Sequence, residues 1–68
     1  MHKNILTKRE KEIFDLLILN KSTKEISYEL NISEKTVRNH ISNVMQKLNI
    51  KTRSGAILEL IKLGEISL

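Results

Sequence analysis

Apolar residues recur along the chain in four groups at helical spacing, and each group opens on a hydroxyl side chain. Thr7 and Glu10 have capping-box spacing, followed by a stripe of Ile13, Phe14, Leu16, Leu17 and Ile18, so a first helix is predicted from about Lys8 to Leu19. Asn20 ends it, because asparagine tolerates the left-handed conformation that a helix C-terminus needs. Ser22 and Glu25 repeat the capping pattern before Ile26 and Leu30, which predicts a second helix from about Thr23 to Asn31. Asn31-Ile32-Ser33 then breaks the period, and Ser33 caps a third helix in which Val37, Ile41, Val44, Met45 and Leu48 form one stripe. Asn49 closes that helix. Thr52 opens a last one from Arg53 to about Leu63, ended by Gly64.

The pattern predicts an all-α fold: a single domain over 1–68, a four-helix bundle with no wing, and a helix-turn-helix motif at about 23–42. In such a motif Ile26, Leu30, Ile32 and Val37 lock two helices at a steep angle, and Ser27 is small where the backbones approach. The second helix is too short to stand alone and must be held by packing. Tyr28, the only tyrosine, reads as a packing residue on it, because single-strand binders present several aromatics for stacking and this chain has two.

Sixty-eight residues support only a marginal core, since a domain of this size buries about 60% of the surface its unfolded chain exposes. With no cysteine there is no disulfide, thiolate zinc site or thiol nucleophile, and two histidines, His2 and His40, do not make a metal site alone. No cofactor is expected. Nor is there an apolar run of ~20 residues or a signal-peptide core, so the expectation is a soluble, cytoplasmic, nucleoid-associated protein. His40 lies at the edge of the third helix's stripe with no nucleophile or carboxylate in view, and reads as a packed histidine bonding a backbone group or a phosphate. No catalytic residue is identified.

The net charge of +4 is local: residues 35 to 53 hold Lys35, Arg38, Lys47, Lys51 and Arg53 without one acid, whereas 1 to 34 are balanced. Opposite the apolar stripe of the third helix lie Lys35, Asn39, Ser42 and Gln46, with Arg38 and Asn43 on the shoulders. A solvated face ordinarily mixes glutamate with lysine; this one is cation, amide and hydroxyl, the groups that bond phosphates and base edges. About 15 residues span about 22 Å, and such a helix fits a major groove about 12 Å wide. Lys24, Lys51 and Arg53 crowd helix N-termini, where the dipole disfavours cations unless an anion such as a DNA phosphate meets them; Lys24 taken alone reads as solvated.

On the last helix Ala56, Ile57, Leu60, Ile61 and Leu63 cover an arc of about 160°, wider than one core requires, and Leu58 lies outside it. Ile66 and Leu68 add apolar surface. A two-fold dimer through this helix, with Leu58, Ile61, Lys62 and Ile66 at the interface, would bury the surplus and double the groove contacts.

Leu6-Thr7-x-Arg9-Glu10-x-Glu12-Ile13, Lys24-Glu25-Ile26, Ile32-Ser33, Thr36-Val37-Arg38-x-His40, Lys47-Leu48 and Arg53-x-x-Ala56 together resemble the DNA-binding domain of the LuxR/FixJ/GerE family, over nearly the whole chain. Within it the sequence looks most like a stand-alone regulator of late sporulation (spore coat) genes, with no room for a sensor or receiver domain. The resemblance implies a transcription regulator, not an enzyme, with the third helix in the major groove, the fourth as dimer contact, and RNA polymerase as a further partner. It places base reading on Arg38, Asn39 and Ser42, and backbone contact on or near Lys24, Lys35, Thr36 and Lys47, to which Asn43, Lys51 and Arg53 are added as the remaining polar groups on that side. Ser27 stands for the family's usual alanine, Asn20 and Asn49 for glycines, and Gly55 for a better helix former, which would loosen the last helix's first turn.

Two other readings stay open. Region 4 of sigma factors shares the LTxRE opening and the helix-turn-helix, but the Met1 start, His40 and the Arg53-to-Ala56 signature speak against it. A protein interaction module would use the apolar last helix and leave the basic helix merely soluble; salt-sensitive retention of random duplex separates it from a DNA binder.

Overall fold

Hydroxyl side chains start the four helices and left-handed residues stop them in the computed structural model, which describes residues 5–68. The order is α1 (Lys8–Ile18), α2 (Thr23–Leu30), α3 (Glu34–Leu48) and α4 (Arg53–Lys62). The expected starts hold, and the expected ends shift by one residue where Leu19, Asn31 and Leu63 act as caps. Thr7 with Glu10 and Ser22 with Glu25 each form a complete capping box, while the Ser33 and Thr52 hydroxyls accept from the Thr36 and Gly55 N–H groups. His2 lies outside the described residues.

Each helix ends in the same way. Asn20, Asn31, Asn49 and Gly64 have φ of 65°, 58°, 56° and 76°. The residue after each donates its N–H to the carbonyl five positions back: Lys21 to Leu16 (3.1 Å), Ile32 to Ser27 (3.0 Å), Ile50 to Met45 (3.0 Å) and Glu65 to Leu60 (2.9 Å). These bonds satisfy carbonyls that a helix end otherwise leaves open. Asparagine does here what glycine commonly does, and Asn31 joins Asn20 and Asn49 in the role.

The third helix is the hub: α3 packs against each of the other three, and α1 also packs against α2. Buried side chains come from α1 (Ile13, Phe14, Leu17), α2 (Ile26), α3 (Val37, Ile41, Val44) and α4 (Ala56, Leu60), with Ile66 from the tail. Leu30, Ile32, Met45 and Leu48 are half-buried around them. Because α2 contributes a single fully buried side chain, its orientation depends on Ile26 and on the tight turn into α3. Among the described residues no helix is long and apolar enough to cross a membrane.

Two expectations need correction. Ile66 is 4% exposed, folded back by its N–H to the Leu60 carbonyl (3.4 Å), so it fills the protein's own core and is not available to a partner. Gly55 does not loosen α4 for want of a side chain. A Cβ there would lie 2.7 Å from Thr52 Oγ1 and 2.9 Å from Ile50 Cγ2, so glycine is what lets the Thr52 cap and Ile50 close over the first turn.

Gly55→Ala should therefore fail to deliver the helix-propensity gain of about 1 kcal/mol that an open position would give. A thermal or urea midpoint that rises in the variant would refute the close-packing explanation. In the same assay Asn49→Ala should cost about 1 kcal/mol, since alanine bears the left-handed penalty that asparagine avoids, whereas Asn49→Gly should equal or exceed the parent.

Candidate nucleic-acid interface

One face of α3 is consumed by the core, which leaves the opposite face facing solvent. Lys35, Arg38, Asn39, Ser42, Asn43 and Gln46 are all exposed, as the helical period requires with Val37, Ile41 and Val44 turned inward. No part of the described chain covers them. Thr36 is half-buried, its hydroxyl 2.9 Å from the Ser33 hydroxyl, so it belongs to the N-cap of α3. Arg38 is held along the helix by Glu34 one turn earlier, with Nη1 3.6 Å from Oε1; both side chains are about half exposed, and a surface pair of this kind is worth ~0 to 1 kcal/mol. The pair orients the guanidinium yet can yield to a better acceptor.

Lys51 and Arg53 stand exposed at the start of α4, whose first turn carries no acid, and Lys24 is exposed in the first turn of α2. These three cations sit at helix N-termini, where peptide N–H groups and positive charge together favour an external anion.

Lys47 has a different environment. Its ammonium lies 2.6 Å from Glu10 Oε1 and 3.3 Å from the Ile5 carbonyl oxygen, tying the last turn of α3 to the first turn of α1. The Glu10 side chain is 5% exposed, against 38% for Lys47. Burial by itself raises the Glu10 carboxyl, but hydrogen bonds from the Lys47 ammonium and the Thr7 N–H, with the Lys47 charge, outweigh it and hold the group below its usual value. Contact between Lys47 and a phosphate would have to share this ammonium with a buried carboxylate. Sequence spacing could not have shown this, because Glu10 already had a complete local explanation in the capping box.

A second carboxylate works similarly. Glu65 is buried, and its oxygens accept from the Ile5 N–H (3.2 Å) and approach the Leu6 N–H at 3.5 Å. In the sequence it registered only as an acid near the C-terminus.

Two further residues depart from expectation. Tyr28 is 91% exposed, so it does not pack, because α2 turns Ile26 inward and carries Tyr28 outward. His40 is half-buried, in keeping with a packed histidine, but no hydrogen bond joins it to a described residue, so of the two expected partners, a backbone group or a phosphate, the backbone group drops out among the described residues.

A short helix locked against a longer one, with the longer one's polar and cationic face open and free of acids beyond its first turn, defines a helix-turn-helix nucleic-acid-binding domain. Residues 4–60 match the sequence profile of the bacterial regulatory proteins of the luxR family, and the chain belongs to that family. It is 64% identical over 66 residues to the spore germination protein GerE of Bacillus subtilis (strain 168), covering 97% of this chain and 89% of that protein. The transcriptional regulatory protein DegU of Brevibacillus brevis is 48% identical over 61 residues, but there the chain spans 26% of the relative's length. A solved structure of the transcription factor GerE superposes with a TM-score of 0.92 at 63% identity, covering 96% of this chain and 97% of that one. The chain is a transcription regulator with a DNA-binding helix-turn-helix, and not an enzyme.

Because the folded Glu10 carboxyl lies below its unfolded value, its contribution to stability is present above the unfolded carboxylate value of about 4.3 and is lost as pH falls through the folded one. Glu10→Gln, which keeps a capping-box acceptor, should lower stability by about 1 to 3 kcal/mol at pH 7. It should also flatten the decline in urea midpoint below about pH 5, where the carboxyl begins to take up its proton. An unchanged midpoint at pH 7, or an unchanged acid slope, would show that the pair contributes nothing.

Proposed function

We propose that the chain acts as a dimeric, sequence-specific regulator that lays the outer face of α3 in the major groove and controls late sporulation genes, those of the spore coat among them. The observation that carries the reading is the open face of α3, with Arg38, Asn39 and Ser42 exposed while the same helix packs against the other three. The guanidinium and amide are the groups that bond guanine and adenine edges, and a serine hydroxyl serves either donors or acceptors. Lys24, Lys35, Thr36, Asn43, Lys51 and Arg53 then hold the backbone, with Lys47 contributing only as far as Glu10 releases it. The sporulation assignment is supported by the likeness to the spore germination protein GerE. A cytoplasmic, nucleoid-associated location follows from a DNA target, and RNA polymerase is the natural further partner of a bound regulator.

Dimerisation is placed on α4. Leu58 is 63% exposed and Leu63 38%, with Ile61 half-buried and Lys62 exposed beside them. With Ile66 withdrawn into the core, the interface narrows to Leu58, Ile61 and Lys62, extended by Leu63. A two-fold axis through this helix would present two α3 helices to successive half-sites.

Arg38→Ala should cost about 1 to 3 kcal/mol on a selected site and relax preference at one base pair, whereas Lys35→Ala should weaken all duplexes alike and lower the salt slope by about 1. Equal losses on selected and random duplex for both variants would count against base reading by Arg38. Leu58→Glu should shift the dimer toward monomer in sedimentation equilibrium without loss of helical signal; a variant that keeps the parental association constant would remove α4 from the interface.

A further inference from the structure

The outer face of α2 is built against its own helix. Lys24 stands in the first turn, where the dipole disfavours a cation, and the last turn holds Glu29 with no basic residue. Glu25 and Glu29 lie at i, i+4, a like-charge spacing that weakens a helix. The exposed acids of α1 are arranged the other way: Glu12 is 3.2 Å from Arg9 and Asp15 3.0 Å from Lys11, whereas Glu25 and Glu29 have no cation within 4 Å among the described residues. Between them projects Tyr28, 91% exposed and one of two aromatics in the chain. An open groove of about 790 Å³ runs along this side, lined by Lys21, Lys24, Glu25, Tyr28, Glu29 and Glu34.

Apart from the Glu25 capping box none of these features stabilises the isolated domain, and together they describe a contact surface. An exposed tyrosine is a rigid, amphipathic anchor of the kind that dominates protein interfaces, and its ring face attracts a guanidinium or ammonium. Glu25, Glu29 and Glu34 outnumber Lys21 and Lys24 along the groove, so the surroundings of the ring favour cations over phosphate. We propose that this face of α2 docks a protein partner that presents arginine or lysine side chains around an apolar residue, with Tyr28 as anchor and Glu25, Glu29 and Glu34 as its counter-charges. The surface adjoins the acid-free side of α3 and shares only Lys24 with the proposed backbone contacts; Tyr28 and the three carboxylates take no part in those contacts, so the partner sits beside bound DNA and does not compete with it. Glu34 borders both: its pairing with Arg38 at 3.6 Å places the edge of the docking face against the start of α3.

The test uses the whole chain and the emission of its single tyrosine, unobscured because there is no tryptophan. The probe is a 12-residue peptide alternating arginine and leucine, with a glutamate-leucine peptide as control. The cationic peptide should change Tyr28 emission, shift backbone amide resonances from Glu25 to Glu34, and, at equal free peptide concentration, bind equally well when the chain is saturated with duplex DNA. Tyr28→Ala, followed by amide shifts, and Glu25→Gln with Glu29→Gln, which retains the capping-box geometry at Ser22, should each weaken the peptide at least tenfold while leaving helical signal and duplex affinity unchanged.

The proposal is overturned if both variants bind the peptide like the parent, if the acidic peptide binds as well, or if the shifts map to Leu58 and Leu63 on α4. Displacement of the peptide by duplex beyond the amount that the same duplex takes up from peptide alone would make the face part of the nucleic-acid interface, and a change in oligomeric state in Tyr28→Ala would make it a contact between copies; either result also overturns it. Because the emission change, the amide shifts and the variants are read without DNA, failure of duplex binding by the parent would tell against the DNA-reading proposal alone.

Discussion

Everything in this domain depends on α3 serving two environments at once. Its inner side, through Val37, Ile41 and Val44, is the surface on which the other three helices meet, and its outer side stays uncovered, as the proposed groove contact requires. A helix of 15 residues can do this because the 3.6-residue period separates the two sets of side chains completely. The same demand explains why the neighbours are short and sharply terminated. An extra turn on α2 would run past the tight turn that sets the angle between the two helices, and Asn31 stops it by adopting a conformation no helix can continue.

Among the described residues a core of ten buried apolar side chains is small for the task, and charged ties supplement it at the chain's two ends. Lys47 and Glu65 both hold the segment that leads into α1, one through Glu10 and the Ile5 carbonyl, the other through the Ile5 and Leu6 N–H groups. The first tie begins on α3, the helix proposed to read DNA. An ammonium near the C-terminus of α3 also sits favourably against the helix dipole, so Lys47 is stabilised in place by two effects that have nothing to do with DNA. A cation on a DNA-binding helix is thus not automatically a phosphate ligand.

Tyr28 and Ile66 show the same limit from opposite directions. Tyr28 looked like a packing residue because a large ring usually is, yet α2 turns Ile26 inward and leaves the ring in water. Ile66 looked like spare surface because it follows the last helix, yet the left-handed Gly64 folds the tail back and seats it in the core. Gly55 belongs with them: its value lies in the approach of Ile50 and Thr52, which helix propensity does not register.

What the sequence determined by itself was everything local. Helix starts follow from Thr7, Ser22, Ser33 and Thr52, because a hydroxyl accepts an N–H three residues on regardless of what lies across the fold; helix ends follow from asparagine and glycine, which tolerate positive φ. The outward face of α3 followed from its period once the apolar stripe was seen. Only the tertiary structure decided that Glu10 meets Lys47 across 37 positions, that Glu65 receives the backbone of Ile5 60 positions away, and which apolar residues of α4 and the tail stay exposed. Those outcomes depend on the angles at which four short helices cross, and no side chain's own conformational preference encodes such an angle.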